Sequence, residues 1–135
     1  MPTLEEIREH FQKDIFATET TGVEIVEAKP GRALCKLTLR PEHMNANGVP
    51  MGGAIFTLAD FACAVASNAF SEGMTVTQQA SINFLTVAKG STLFADAICL
   101  KAGKKTGLYE VNITDDAGTF VSYMTVNTFT AIPGK

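Results

Sequence analysis

The chain has no tryptophan, two histidines and three cysteines among its 135 residues, and each scarcity removes a class of function. With only His10 and His43 available, a zinc centre would need scattered ligands at a spacing the sequence does not show, so neither a metal nor another cofactor is expected. Cys35, Cys63 and Cys99 form an odd set without a Cys-x-x-Cys pair, each inside an apolar segment. Free cysteine behaves there as a small buried hydrophobe in a reducing compartment, which points to the cytoplasm and away from a disulfide framework. Positive charge is scarce as well: 11 Lys plus Arg stand against 14 Asp plus Glu with no basic block, so no nucleic-acid partner is expected. Residues 1–8 hold no basic region ahead of an apolar one, and a charge interrupts the one long apolar stretch before it reaches membrane-spanning length. The expectation is a soluble, unexported protein with no membrane partner.

What is present is enough apolar material, 46% of the chain, for one core in one domain over residues 1–135. A Thr3-x-x-Glu6 capping box precedes an apolar series at Leu4, Ile7, Phe11 and Ile15, which predicts an amphipathic helix over residues 3–16, within an N-terminal helical segment of residues 1–17. Residues 22–29 and 32–40 read as a hairpin about Pro30 and Gly31, with Ala33, Cys35, Leu37 and Leu39 on one face. Residues 41–50 read as a loop. Residues 52–70 then form a helix apolar nearly all round, which must be enclosed. After Gly73 the period falls to two, and a meander of four strands is predicted over residues 74–84, 92–101, 107–115 and 119–130. In the first of these, Met74, Val76, Ala80, Ile82 and Phe84 should share a face. Strands segregated from one long helix indicate an α+β domain with a curved antiparallel sheet wrapped around that helix. One small sheet covers such a helix poorly, which favours a second subunit.

Within the helix, Asp60 interrupts an apolar run from Ala54 to Ala66. A buried carboxylate costs several kcal/mol unless it is compensated, and Thr57, Asp60, Ser67 and Asn68 fall on one narrow stripe that is either the solvent face or a site. Gly52 and Gly53 open the helix, where unpaired backbone N–H groups can bind an anion or a developing oxyanion. Asn45, just upstream, adds an amide donor. A carboxylate, two N–H donors and an amide are parts suited to acyl transfer.

The pattern Asn45-x-x-Gly48-x-x-Met51-Gly52-Gly53, followed by Leu58-Ala59-Asp60, resembles the signature of hot-dog-fold acyl-CoA thioesterases of the PaaI-like, phenylacetate-pathway type. The resemblance runs from about residue 3 to residue 129. It implies a hot-dog fold and hydrolysis of an aryl- or medium- to long-chain acyl-CoA. By the same resemblance Asp60 is general base or nucleophile, Gly52 N–H and Asn45 polarise the thioester carbonyl, and Thr77 positions water. Gly53, Met51 and Phe56 would then contact substrate, Lys104 and Lys105 are candidates for the CoA phosphates, and the assembly is a homodimer or a tetramer made of two dimers. The family pattern carries His where this chain has Met51, a side chain that neither donates a hydrogen bond nor titrates. His43 could reach back in its place, although a loop histidine is more often a surface residue. Two other readings remain open on the same residues: a non-catalytic acyl-CoA-binding protein, and an acyl-thioester hydratase or dehydratase.

Overall fold

The computed structural model describes residues 1–131. Thr3 caps α1 (Leu4–Phe11) through the predicted box: its hydroxyl accepts from the Glu6 N–H at 3.2 Å and the Glu6 carboxylate accepts from the Thr3 N–H at 3.1 Å. Ile7 and Phe11 are buried, but the helix ends at Phe11, short of the expected residue 16, and Ile15 is exposed. The last turn tightens, with the N–H groups of Lys13 and Asp14 donating three positions back to the His10 and Phe11 carbonyls at 3.3 and 2.9 Å. The chain then enters a wide π-helical turn over Phe16–Thr21, which the Thr18 N–H and hydroxyl brace by both donating to the Asp14 carbonyl at 2.9 Å each. Gly22, at φ +94°, closes that turn.

Six strands follow in one antiparallel sheet: β1 (Glu24–Lys29), β2 (Arg32–Thr38), β3 (Met74–Phe84), β4 (Thr92–Ala102), β5 (Thr106–Asp115) and β6 (Phe120–Ala131), with α2 (Gly52–Asn68) between β2 and β3. Their order across the sheet is β1-β2-β4-β5-β6-β3. The expected four-strand meander is therefore corrected: only β4, β5 and β6 follow one another, while β3 leaves its sequence neighbour and takes the far edge beside β6. Two aspartates make that crossover possible. Residues 85–91 run over the β5–β6 turn, where Asp115 accepts from the N–H groups of Lys89 and Gly90 at 2.7 and 2.9 Å, and Asp116 accepts from Ser91 and Thr92 at 2.9 and 3.1 Å. Burial opposes ionisation of Asp115, but the N–H groups of Gly90, Thr119 and Lys89 prevail and hold its carboxyl far below the usual range.

The helix α2 packs against all six strands. Strands about 4.8 Å apart span more than the roughly 10 Å width of a helix, so the sheet must curve around it. The closest seat is lined with small residues, because β2 and β4 pair Ala33 with Ala97 and Cys35 with Ala95 on the inner face, all essentially fully buried. Against them lie Leu58, Ala59, Ala62, Cys63, Val65 and Ala66 of the helix. Burial pushes the thiols of Cys35 and Cys63 up to about 12, as suits core residues. This is the hot-dog arrangement that the resemblance implies.

A bulge in β3 alters one further expectation. Thr77 pairs with Thr128 and Gln79 with Asn127, leaving Gln78 as the extra residue. The extra residue reverses the faces, so Ala80 and Ile82 pack on the core while Met74 and Val76 turn outward and are exposed. Thr75 and Thr77 occupy the helix side instead.

Candidate active site

Asp60 lies on the stripe of α2 that the sheet leaves uncovered. It is half-buried in a cleft of about 510 Å³ lined by Asp14, Phe16, Phe56, Thr57 and Phe61, with Ile15, Ala17 and Ala64 completing the walls. Across the cleft rim, the Thr77 hydroxyl donates to Asp60 Oδ1 at 3.4 Å. The β3 bulge brings this about, since without it Thr77 would face outward. Burial raises the Asp60 pKa above the ordinary carboxylate value; the Thr77 hydroxyl opposes that rise and the negative charge of Asp14 adds to it. A carboxylate so placed is more basic than a solvated one, as proton abstraction requires.

The anion-binding parts lie elsewhere on the same helix. Met51 caps α2 without a side-chain bond, its N–H donating to the His43 carbonyl at 2.8 Å and its carbonyl accepting from Ala54 and Ile55. The N–H groups of Gly52 and Gly53 make no such bond among the described residues. Gly52 opens onto a groove of about 300 Å³ between Val49, Pro50, Ile55 and Phe84. Asn45 is oriented by its own loop: its Oδ1 accepts from the N–H groups of Asn47 and Val49 at 2.9 and 3.3 Å. Its Nδ2 makes no hydrogen bond among the described residues. Gly52 and Asp60 are eight positions apart, about 12 Å along a helix axis. One chain therefore does not bring Asp60 together with Gly52 and Asn45.

The other predicted residues divide. Phe56 lines the Asp60 cleft, Met51 is exposed at the helix entrance, and a Cβ on Gly53 would meet nothing within 4 Å. Lys104 and Lys105 sit in the exposed β4–β5 turn and line neither the Asp60 cleft nor the Gly52 groove. His43 is neither a surface residue nor a replacement for the missing histidine. It is 5% exposed, its Nδ1 accepts from the Arg40 N–H at 3.0 Å, and its Nε2 donates to the Thr21 carbonyl at 2.7 Å. Both ring nitrogens are thus spent on joining the loop to the π-helical turn.

Two sets of residues escaped the sequence reading. Asp14, Ile15 and Phe16 face the cleft because α1 stops early, and the only sequence signal was an apolar series whose last member, Ile15, found no core. Asn68, on the polar stripe, binds both main-chain groups of Thr75: Oδ1 accepts its N–H at 2.8 Å and Nδ2 donates to its carbonyl at 3.1 Å. It anchors β3, and with it Thr77, to the end of α2.

A family model described as the thioesterase superfamily matches residues 47–122, a span that holds the glycine pair, all of α2 and the crossover to β6. The chain belongs to the thioesterase superfamily. This thioesterase is 34% identical over 107 residues to the acyl-coenzyme A thioesterase PaaI of Escherichia coli strain K12, an alignment spanning 78% of this chain and 74% of that protein. The solved structure of the E. coli PaaI protein aligns with a TM-score of 0.82 at 24% identity, covering 96% of both chains. A Streptococcus mutans protein solved bound to acetyl CoA aligns with a TM-score of 0.76 at 27% identity, over 84% of this chain and 91% of that one. The protein is thus a PaaI-like hot-dog thioesterase, a thioester hydrolase.

Proposed function

We propose that the protein hydrolyses an aryl- or medium- to long-chain acyl-CoA to the free acid and CoA. Asp60 acts as general base toward water or as nucleophile toward the thioester carbonyl, and Thr77 holds the attacking water beside it. The Gly52 N–H and the Asn45 amide receive the tetrahedral oxyanion. CoA leaves as thiolate, which needs no strong general acid. The single observation that carries this reading is the raised, half-buried Asp60 carboxylate in an apolar cleft with a hydroxyl bonded to it.

Because Asp60 and Gly52 are about 12 Å apart along one helix, the reaction needs two copies, the carboxylate of one meeting the donors of the other. The free edge of the sheet supports this. β3 presents eleven residues without a charge or a proline, whereas edge strands in stable monomers are usually blunted by one or the other. A homodimer joined near β3, alone or doubled into a tetramer, completes two sites. The coenzyme named for the E. coli and S. mutans relatives supports CoA as the carrier here. The three free thiols, of which Cys35 and Cys63 are buried, suit a cytoplasmic setting.

A second reading, a non-catalytic acyl-CoA binder, is favoured only by Met51, which removes a polar side chain beside Gly52 without altering the Gly52 N–H. Hydration or dehydration of the acyl chain lacks its histidine, since both nitrogens of His43 are engaged. Thiol release from a panel of acyl-CoAs separates the three: hydrolysis supports the thioesterase, binding without release supports the binder, and addition of water to a crotonyl ester supports the hydratase.

A further inference from the structure

The turn after α1 is built inside out. Its small residues, Ala17 and Thr21, are buried at 9% and 7% exposure, while its large apolar residues, Ile15 and Phe16, stand 59% and 66% exposed on the wall of the Asp60 cleft. The turn is also held firmly. Asp14 is fixed by its N–H to the Phe11 carbonyl and by Thr18 on its own carbonyl, Gln12 Nε2 donates to the Thr18 hydroxyl, and the Thr21 carbonyl accepts from both His43 and Arg40. Phe61, on the opposite wall, is locked by an edge-to-face contact with Phe11 at a centroid separation of 5.8 Å. Two adjacent apolar side chains fixed in water facing a reactive carboxylate are costly unless something apolar covers them.

The charges of the cleft specify that cover further. Asp14 and Asp60 are the only ionisable residues with which one copy lines it, and no described Lys, Arg or His of that copy does so. An acyl tail ending in a carboxylate would meet two like charges and no counter-ion from this wall, whereas a neutral alkyl or aryl tail would cover Ile15, Phe16 and Phe56. We propose that the turn bearing Asp14, Ile15 and Phe16 is the acyl-selecting wall of the Asp60 cleft, gripping neutral apolar acyl groups and turning away those that carry a terminal carboxylate. This rests on the reading of Asp60 as the reacting carboxylate and assigns the selection to the segment preceding β1, outside the matched family region of residues 47–122.

The test compares wild type, Phe16→Ala and Asp14→Lys on acetyl-, hexanoyl-, benzoyl- and glutaryl-CoA, with calorimetric binding of the corresponding non-hydrolysable CoA thioethers and sedimentation of each variant. Phe16→Ala should lower the benzoyl-to-acetyl and hexanoyl-to-acetyl ratios of kcat/KM by about tenfold, the effect of uncovering part of one aromatic side chain. Asp14→Lys should raise the glutaryl-to-hexanoyl ratio by about five- to tenfold at low salt, and less at high salt. Equal losses on all four esters in Phe16→Ala, together with a smaller sedimenting species, would make Phe16 a subunit contact and overturn the proposal, as would unchanged ratios in both variants. If wild type releases no thiol from any ester, the catalytic reading of Asp60 fails, and the thioether affinities still decide whether the wall selects. The same ratio changes in binding uphold it, and flat affinities reject it.

Discussion

Replacing Asn68 tests how the edge strand is held over the site. Asn68 ends α2, and its carboxamide takes the N–H and carbonyl of Thr75 at 2.8 and 3.1 Å while its Nδ2 also reaches the Ala64 carbonyl at 3.0 Å. Asn68→Leu keeps the bulk of the side chain and deletes both contacts to β3. Each bond between half-buried groups contributes about 1 kcal/mol net, so the loss should be about 2 kcal/mol, a roughly thirtyfold shift in the folding equilibrium. For a chain of this size that is a fall in Tm of roughly 6–10 °C. Asn68→Asp keeps the acceptor for the Thr75 N–H, loses the donor, and should show about half the loss. Urea unfolding at one fixed protein concentration measures this, since oligomerisation would otherwise shift the midpoint. Hydrogen exchange at Thr75 gives the local reading. Because Thr77 rides on the same stretch of β3, kcat/KM should fall in both variants. Unfolding of Asn68→Leu within 0.5 kcal/mol of wild type (about the scatter of a neutral surface substitution), with exchange at Thr75 unaltered, would refute the clamp.

Other substitutions probe the remaining parts. Gly53→Ala should raise stability by about 0.5–1 kcal/mol, since a helical glycine is replaced in open space, whereas Gly52→Ala places its Cβ 3.0 Å from Phe84 Cζ and should displace that ring and cut activity, as parallel denaturation and thiol-release assays would read. His43→Leu leaves the Arg40 N–H unpaired and takes one of two donors from the Thr21 carbonyl, which keeps the Arg40 guanidinium, and should cost about 1–3 kcal/mol by urea unfolding, a structural loss with no change in the shape of the pH–rate profile. The acid limb of that profile should lie above the ordinary carboxylate range because the Asp60 pKa is raised; Asp14→Asn should move it down and Thr77→Val up. The Asp115 carboxyl is depressed on folding, so it stabilises the protein above the unfolded-chain value near ~4 and that stability is lost as pH falls through the folded value. Asp115→Asn should therefore lower the urea midpoint at neutral pH and flatten its decline in acid.

Much of this fold was legible in the sequence because local signals agreed with the tertiary result. The capping box at Thr3 and Glu6, the alternation of Ala33, Cys35 and Leu37, and the glycine pair before an apolar helix each occur where their chemistry places them. Strand order was not legible, because β3 reaches the far edge through contacts between residues 85–91 and two aspartates about 25 positions away. Nor was the bulge at Gln78, since a period-two pattern with one polar residue reads the same with or without a change of face. The resemblance assigned Asp60 and Thr77 to one site, as base or nucleophile and as the residue that positions water, and the bulge is what turns Thr77 toward Asp60. The turn at Asp14 and Phe16 stayed hidden for the opposite reason: Ile15 continued a helical period that the tighter bonds of Lys13 to His10 and Asp14 to Phe11 had already ended.

The central claim is that Asp60 performs the hydrolysis, and release of free CoA thiol by wild type and Asp60→Asn tests it most directly. The substitution keeps the shape of the side chain and removes an ionised group that burial disfavours, so the variant should fold with at least wild-type stability at neutral pH. The account predicts that wild type releases thiol from hexanoyl- or benzoyl-CoA and that kcat falls by about a hundredfold or more in a folded Asp60→Asn. A folded Asp60→Asn that releases thiol at the wild-type rate would contradict it.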